Sequence, residues 1–293
     1  TTEIYTLSLH DALPILTLDT TLNIRAAVPN SYSTRLTVGG VQQGGEVFTD
    51  ARSLPEDADS VSRLAIQFDA SNLVSSRYPY QATVFSNYLN SSIGGIASGH
   101  VIVLNRKQSP FGAGWAITSL QQLHVQDDGT LLLTSGDGTA LFFSGGPDTF
   151  TSPPRDFSTL IKNSDGSYTR TFKDGTRINF NGQGQQTSVV NRNGNTTGYG
   201  YDSSGRLIFL TDPVGLITTL TYAGAKLQRV TDPSGRQTQF QYDSFGNLTR
   251  ITNPDGSFVS YSYDDKAHIL QATDERGNGT VYAYDFAGRF SQS

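Results

Sequence analysis

The chain has no cysteine, no methionine, one tryptophan and only 16% charged residues. Without cysteine there is no disulfide framework, no thiolate metal site and no cysteine nucleophile, and the redox compartment leaves no mark. Apolar runs last a handful of residues, too short for a helix that spans a membrane. The 21 basic residues form no block and are outnumbered by 26 acidic ones, which argues against a nucleic-acid partner, because phosphate neutralisation needs clustered Lys and Arg. His10, His100, His124 and His268 lack metal-ligand spacing. No Walker A or Gly-x-Ser-x-Gly motif occurs, and Asp127-Asp128-Gly129 and Asp137-Gly138 lack the alternating oxygen ligands of a calcium loop. These absences lead to a chain without cofactor or metal that is not an enzyme. A missing methionine is read as a fragment or a processed chain.

What is present is glycine and aromatic side chains: 30 Gly, 14 Tyr and 16 Phe in 293 residues. That supply supports packed cores and excludes wholesale disorder. Residues 1–16 stand apart. They have neither a basic start nor a small-residue cleavage site, Pro14 interrupts any helix, and the string from Tyr5 to Ile15 resembles a translated sequencing adapter. They are set aside as foreign and expected to pack poorly.

Residues 17–105 read as a β-sandwich domain of immunoglobulin-like type. Leu64-Ala-Ile66-Gln-Phe68 and Tyr80-Gln-Ala82-Thr-Val84 alternate at period two, and Val101 to Leu104 is a short apolar run that suits a strand covered on both faces. Gly39-Gly40, Gly44-Gly45 and Gly94-Gly95 read as turns.

Two repeats organise the remainder. In residues 106–193, Asp128-Gly129 and Asp137-Gly138 return 37 positions later as Asp165-Gly166 and Asp174-Gly175, and Phe143 returns as Phe180. Each Asp-Gly marks a hairpin turn. In residues 194–293, Tyr201, Tyr222, Tyr242, Tyr263 and Tyr284 follow one another at 21, 20, 21 and 21 residues. Asp202, Asp243, Asp264 and Asp285 come next after their tyrosines, and Gly205, Gly246 and Gly288 stand four after theirs. A second turn series carries Gly194, Gly215, Gly235, Gly256 and Gly277, with Asp212-Pro213, Asp232-Pro233 and Asn253-Pro254 at three of its turns. Each unit supplies two antiparallel strands and two turns, with Thr, Tyr and Phe on one face and Leu207, Leu227, Leu248, Leu270 and Phe290 on the return strands. No unit buries its aromatic face alone, so neighbours must stack. The aspartates are expected to cap turns. A β-propeller would need two units per blade, and odd and even units show no alternation.

The pattern Gly-x-x-x-x-Tyr-x-Tyr-Asp-x-x-Gly-Arg-Leu, seen from Asn195 to Leu207 and again around Tyr242-Asp243 and Tyr284-Asp285, resembles the YD repeat of Rhs proteins, Tc-toxin shell components and teneurins. Ser109-Pro-Phe-Gly-Ala-Gly-Trp115 resembles the lead-in to such repeats in bacterial Rhs-type proteins. The resemblance implies an all-β architecture in which β-hairpin repeats form part of a spiralling shell around a C-terminal cargo, often a toxin. It implies a bacterial protein that is secreted or at the cell surface, a structural role, and as partner the cargo domain of the same polypeptide, missing from this chain. An alternative is carbohydrate binding or adhesion to cell-surface glycans. Asp212-Pro-Val-Gly-Leu216 spells an element found near an autoproteolytic site in Rhs shells, but it occupies an ordinary turn slot and is read as a turn. Trp115 offers a sugar-stacking platform or an aromatic plug between sandwich and repeats, and the plug is preferred. An enzyme would need Asp202, Asp243 and Asp264 to converge, and their placement one repeat apart opposes this.

Overall fold

The computed structural model describes residues 5–9, 15–22, 27–52, 60–284 and 290–292. It is all-β, and among the described residues there is no helix. The chain divides into two compact units, Thr1–Val103 and Leu104–Ser293.

The first unit contains β1 (Tyr5–Leu9), β2 (Ile15–Leu22), β3 (Ser31–Val38), β4 (Val41–Asp50), β5 (Ser60–Gln67), β6 (Ser76–Asn87) and β7 (Ser92–Asn105). Five strands form a sheet in the order β1-β7-β6-β3-β4, and β2 pairs with β5 in a second sheet. Period-two alternation decides what is buried. Leu64, Ile66 and Phe68 share a core with Tyr32, Leu36 and Val38 of β3, Tyr80 and Ala82 of β6, and Val101 and Val103 of β7. The described strands split five and two, unlike the four and three of an immunoglobulin domain. Gly39 and Gly40 make the tight turn expected of them, both with positive φ. Gly44-Gly45 and Gly94-Gly95 lie inside strands instead. At Gly94 the reason is a close approach: a Cβ there would sit 2.9 Å from the Phe85 ring, which lies over the glycine. The segment set aside at 1–16 contributes the backbone of β1 and the start of β2. Its packing, and His10, lie outside what is described.

The second unit is built from hairpins: β8 (Gln121–Val125), β9 (Leu131–Ser135), β10 (Ala140–Gly145), β11 (Thr149–Thr151), β12 (Thr159–Lys162), β13 (Tyr168–Thr171), β14 (Arg177–Phe180), β15 (Gln186–Val190), β16 (Thr196–Tyr201), β17 (Leu207–Thr211), β18 (Ile217–Ala223), β19 (Lys226–Thr231), β20 (Gln237–Tyr242), β21 (Leu248–Thr252), β22 (Phe258–Tyr263), β23 (Ile269–Thr273) and β24 (Gly279–Val281). A last pair, β25 (Ala283–Tyr284) and β26 (Phe290–Gln292), stands as its own small sheet. Strands β8 to β24 form one antiparallel sheet of 17 strands that closes on itself. Closure occurs where β8 meets the chain entering β15. Leu123 N–H donates to Gly184 O at 2.8 Å, Gln122 bridges Gln185, and Gln121 N–H donates to the Gln186 side chain at 2.9 Å. Strands β8 to β15 thus make one closed coil, filled by Leu123, Leu131, Leu133, Phe143, Phe150, Leu160, Tyr168, Ile178 and Phe180. Eight strands enclose just the volume that side chains can fill.

From β16 onward the sheet advances by one hairpin per 20–21 residues, as the tyrosine spacing requires. A register shift falls immediately before Tyr201, Tyr222, Tyr242 and Tyr263. Repeated bulges add twist at every rung, which coils the sheet and opposes flat blades. The five-residue turns share one form. In 202–206, Asp202 N–H donates to Arg206 O, and Gly205 N–H returns to Asp202 O with φ of 78°. The turn at 264–268 places Ala267 at the glycine position with φ of 66°. A side chain in the left-handed region is strained, so Ala267→Gly should stabilise the repeat unit by about 1 kcal/mol, read as a higher urea midpoint. The return-strand contacts differ at two rungs. Leu207, Leu227 and Leu248 are buried, but Leu270 is exposed and Ile269 takes the slot opposite Tyr263. Phe290 is also exposed, although it pairs with Tyr284. The turn 264–268 has the ordinary length, so the apolar slot falls six residues after Tyr263, as Leu207 falls six after Tyr201.

Candidate functional site

The repeat tyrosines share one face of β16 to β23. In β20 the alternation leaves Thr238, Phe240 and Tyr242 half-buried on one face and Gln237, Gln239 and Gln241 exposed on the other. Tyr201, Tyr222, Tyr263 and Tyr284 each donate a hydroxyl hydrogen bond to a carbonyl 15 residues earlier: Gln186 O at 2.9 Å, Leu207 O at 2.7 Å, Leu248 O at 2.7 Å and Ile269 O at 3.1 Å. Each ring therefore reaches back over the preceding rung and ties two hairpins together. The Tyr242 hydroxyl is buried without a hydrogen-bond partner, the one departure from the ladder.

The aspartates beside the tyrosines serve their own turns. Asp202 Oδ1 accepts from Ser204 N–H and Arg206 N–H, both at 2.9 Å, and Oδ2 accepts from Arg206 Nε at 2.8 Å. Asp243 does the same with Phe245 and Asn247, and Asp264 with Lys266 and His268. The Arg206 backbone N–H lowers the Asp202 pKa most, followed by the Arg206 side chain. Burial raises that of Asp264, but hydrogen bonds from His268 outweigh it and the net shift is downward. Asp212 accepts from Val214 N–H and Leu216 N–H, so the Asp-Pro-Val-Gly-Leu element is a turn like the rest. Gly246 closes its turn with φ of 86° and also accepts a hydrogen bond from Ala113 N–H. Asp285 and Gly288 lie outside the described residues.

Segment 106–120 covers the tyrosine face. Phe111, Ile117 and Leu120 pack with Leu207, Leu220 and Leu227 and with the rings of Tyr199, Tyr201 and Tyr222. The backbone is stitched down: Leu227 N–H donates to Pro110 O at 2.8 Å, Ala113 N–H to Gly246 O at 3.0 Å, and Lys226 Nζ to Ser109 O at 2.7 Å. Trp115 lies 4.9 Å from Tyr261, centroid to centroid, and its Nε1–H donates to the Tyr263 hydroxyl at 3.0 Å. Its neighbours leave no room for side chains. A Cβ on Gly112 would sit 2.9 Å from Leu248 Cβ. The Ser-Pro-Phe-Gly-Ala-Gly-Trp string is thus a plug laid along the repeats. Sequence reasoning named Ser109 but missed its anchor Lys226, and also Gln186, which no local pattern marks and which is buried in the fold.

Burial raises the pKa of these phenols, to about 12 at Tyr222 and Tyr263 and further at Tyr201 and Tyr242. A phenol whose pKa is raised by folding stabilises the fold fully below its unfolded value, near 10, and loses that contribution as pH climbs to the folded value. The repeat unit should therefore hold its stability up to about pH 10 and lose it progressively between pH 10 and 12, which Trp115 fluorescence during urea unfolding will report. Among the described residues no group of three or more His, Asp or Glu is placed to hold a metal ion. Asp202, Asp243 and Asp264 lie in separate turns, each engaged locally.

A sheet that advances by one bulged, tyrosine-tied hairpin at a time defines an all-β repeat protein. The RHS Repeat family model matches residues 180–219, 222–257 and 242–278. No curated protein matches the chain. Among solved structures, the chain is similar to one from the Photorhabdus luminescens Tc holotoxin pore, with 14% identity over 71% of this chain and 11% of that one and a TM-score of 0.29. It is also similar to a chain in the crystal structure of TcdB2-TccC3-Cdc42, with 13% identity over 78% of this chain and 19% of that one and a TM-score of 0.29. The chain spans less than a fifth of the length of either.

Proposed function

We propose that the chain is a non-catalytic wall segment of a secreted or cell-surface bacterial β-shell that encloses or displays a cargo domain of the same polypeptide. The observation that carries this reading is where the aromatic side chains are spent. The tyrosine face is covered by the plug, and its hydroxyls tie rung to rung, so the rings serve cohesion. The RHS repeats support a structural role of this kind. Adhesion to glycans would instead use a row of aromatic rings left open to solvent, and the most exposed phenylalanine rings, Phe48, Phe157 and Phe245, stand on separate elements.

Two measurements test the proposal. The full chain on a glycan array should bind no glycan, and a domain joined to its C-terminus together with the intervening natural sequence should resist a protease that digests the same domain alone. Saturable binding to one glycan, with no such protection, would replace the shell reading by adhesion.

A further inference from the structure

The plug lies on the tyrosine face of the repeat sheet, and the opposite face has its own chemistry. Strands β16 to β24 contain no Asp or Glu, and their only charged side chains are Lys226, Arg229 and Arg250. Lys226 serves the plug, through its bond to Ser109 O. The two arginines do not. Arg229 and Arg250 each stand two residues after a buried leucine, Leu227 and Leu248, so they hold the same place in consecutive rungs. Register sets them on one face. Arg229 pairs with Gln239, and Arg250 with Gln241. Both glutamines are exposed, on the side of β20 away from Phe240 and Tyr242. Arg229, Gln239, Gln241 and Arg250 therefore form one diagonal stripe across β19, β20 and β21. Its two cations stand two strands and two positions apart, about 12 Å along the face.

Both arginines are half-buried, and the Nε atom of each is buried without a hydrogen-bond partner. Desolvated donors left unpaired cost free energy. Arg170, Arg206 and Arg236 avoid that cost by pairing with Asp156, Asp202 and Asp232. Among the described residues Arg229 and Arg250 have no such acid. The aspartates that end β19 and β20 are engaged in their own turns, Asp232 with Arg236 at 2.6 Å and Asp243 with Asn247 at 2.9 Å. Arg250 is also held in place, its guanidinium 3.5 Å from the centroid of the Phe258 ring. Stacking on an aromatic face restrains a guanidinium for a planar ligand.

We propose that this stripe binds an extended acidic peptide segment of a partner protein, with one carboxylate on each arginine and the peptide backbone on the two glutamines. Charge complementarity selects an anion, because the face carries two cations and no acid. The planar guanidinium takes a carboxylate through two parallel N–H bonds. The glutamines select a peptide. Each side-chain amide offers both donors and an acceptor, which a peptide group complements, whereas a phosphate or sulfate chain would use the donors alone. In an extended segment, residues four apart lie on one face and about 13 Å from each other, which matches the separation of the arginines. The binding does not depend on what the wall encloses.

Fluorescence anisotropy of a rhodamine-labelled peptide of six Glu-Ser repeats tests this on the full chain. Binding should saturate at low salt and weaken at least tenfold when NaCl is raised to about 0.5 M. The matching peptide of Gln-Ser repeats should not bind. Arg229→Gln combined with Arg250→Gln should weaken binding at least tenfold, and Gln239→Ala combined with Gln241→Ala several-fold, with the emission of folded Trp115 unchanged. Arg236→Gln removes a positive charge from a neighbouring turn and should leave binding as it is. No binding at millimolar peptide would overturn the proposal, as would affinity indifferent to the paired arginine changes or equally reduced by Arg236→Gln. Inorganic polyphosphate that binds more tightly than the peptide and ignores the glutamine changes would assign the stripe to a phosphate chain and also overturn it.

Discussion

Gly184→Ala is expected to open the closed coil and cost the second unit about 3–5 kcal/mol. Gly184 has φ of 76°, and a Cβ there would lie 2.1 Å from Leu123 O and 2.9 Å from Leu123 C. These are backbone atoms of β8, so no rotamer change relieves the overlap. Relief requires β8 to move, and β8 is held at this point by the Leu123 N–H bond to Gly184 O. Losing that bond costs on the order of 1 kcal/mol, and Leu123, fully buried in the coil, is dragged from its neighbours at the cost of part of a leucine's burial. Gly215→Ala is the control. Gly215 has φ of 88° with no atom within 4 Å of its would-be Cβ, so its substitution carries only the left-handed penalty, about 1 kcal/mol. Trp115, the only tryptophan, lies in the same unit and reports both unfolding curves. Hydrogen exchange should show lost protection at Leu123 in the first variant alone. Equal losses in the two variants would mean that closure at Gly184 contributes nothing.

That coil also marks where the sequence stopped being legible. The repeat rungs were readable because each property they use is local: Asp-x-x-Gly turns, period-two strands and a tyrosine every 20–21 positions. The plug was half readable. Gly112, Gly114 and Trp115 stand out as a motif, but the partners of Trp115 lie 146 and 148 residues away at Tyr261 and Tyr263. Closure was not readable at all. It depends on β8 finding Gly184 and Gln186 after the strands β8 to β14 have turned, and no local pattern records the curvature accumulated on the way. Leu270 shows the same limit on a smaller scale. Both Ile269 and Leu270 are apolar, and only the six-residue step across a five-residue turn, as at Tyr201 and Tyr242, selects the first. In the first unit, Gly94-Gly95 looked like a turn because the sequence does not reveal that Phe85 lies across the sheet from it.

Arg170→Ala is expected to cost about 3–5 kcal/mol, although it removes a charge from a core. Arg170 sits in the row of Leu160 and Ile178, inside the closed coil, and is buried. Its Nε donates to Ser158 Oγ at 2.8 Å, one terminal nitrogen to Gln121 Oε1 at 3.2 Å and the other to Asp156 Oδ2 at 3.0 Å. The guanidinium also lies 4.5 Å from the centroid of Phe172. Alanine would leave a nearly buried Asp156 carboxylate without its cation and strand two further polar groups. Arg170→Lys keeps the charge but not the planar fork, so it should recover less than half of the loss. Arg170→Met with Asp156→Asn should recover most of it, because the amide keeps the Ser158 contacts and no unpaired charge remains in the core. Strictly additive losses in that double-mutant cycle would mean that the ion pair is not coupled. The position of Gln121 explains why a coil of this kind tolerates a charge at its centre. Gln121 belongs to β8, and its backbone N–H is bound by Gln186 where the coil closes. Arg170 therefore joins the middle of the coil to the one strand whose register no hairpin turn to its closing neighbour specifies. A polar, directional contact discriminates between registers that a purely apolar interior would accept equally.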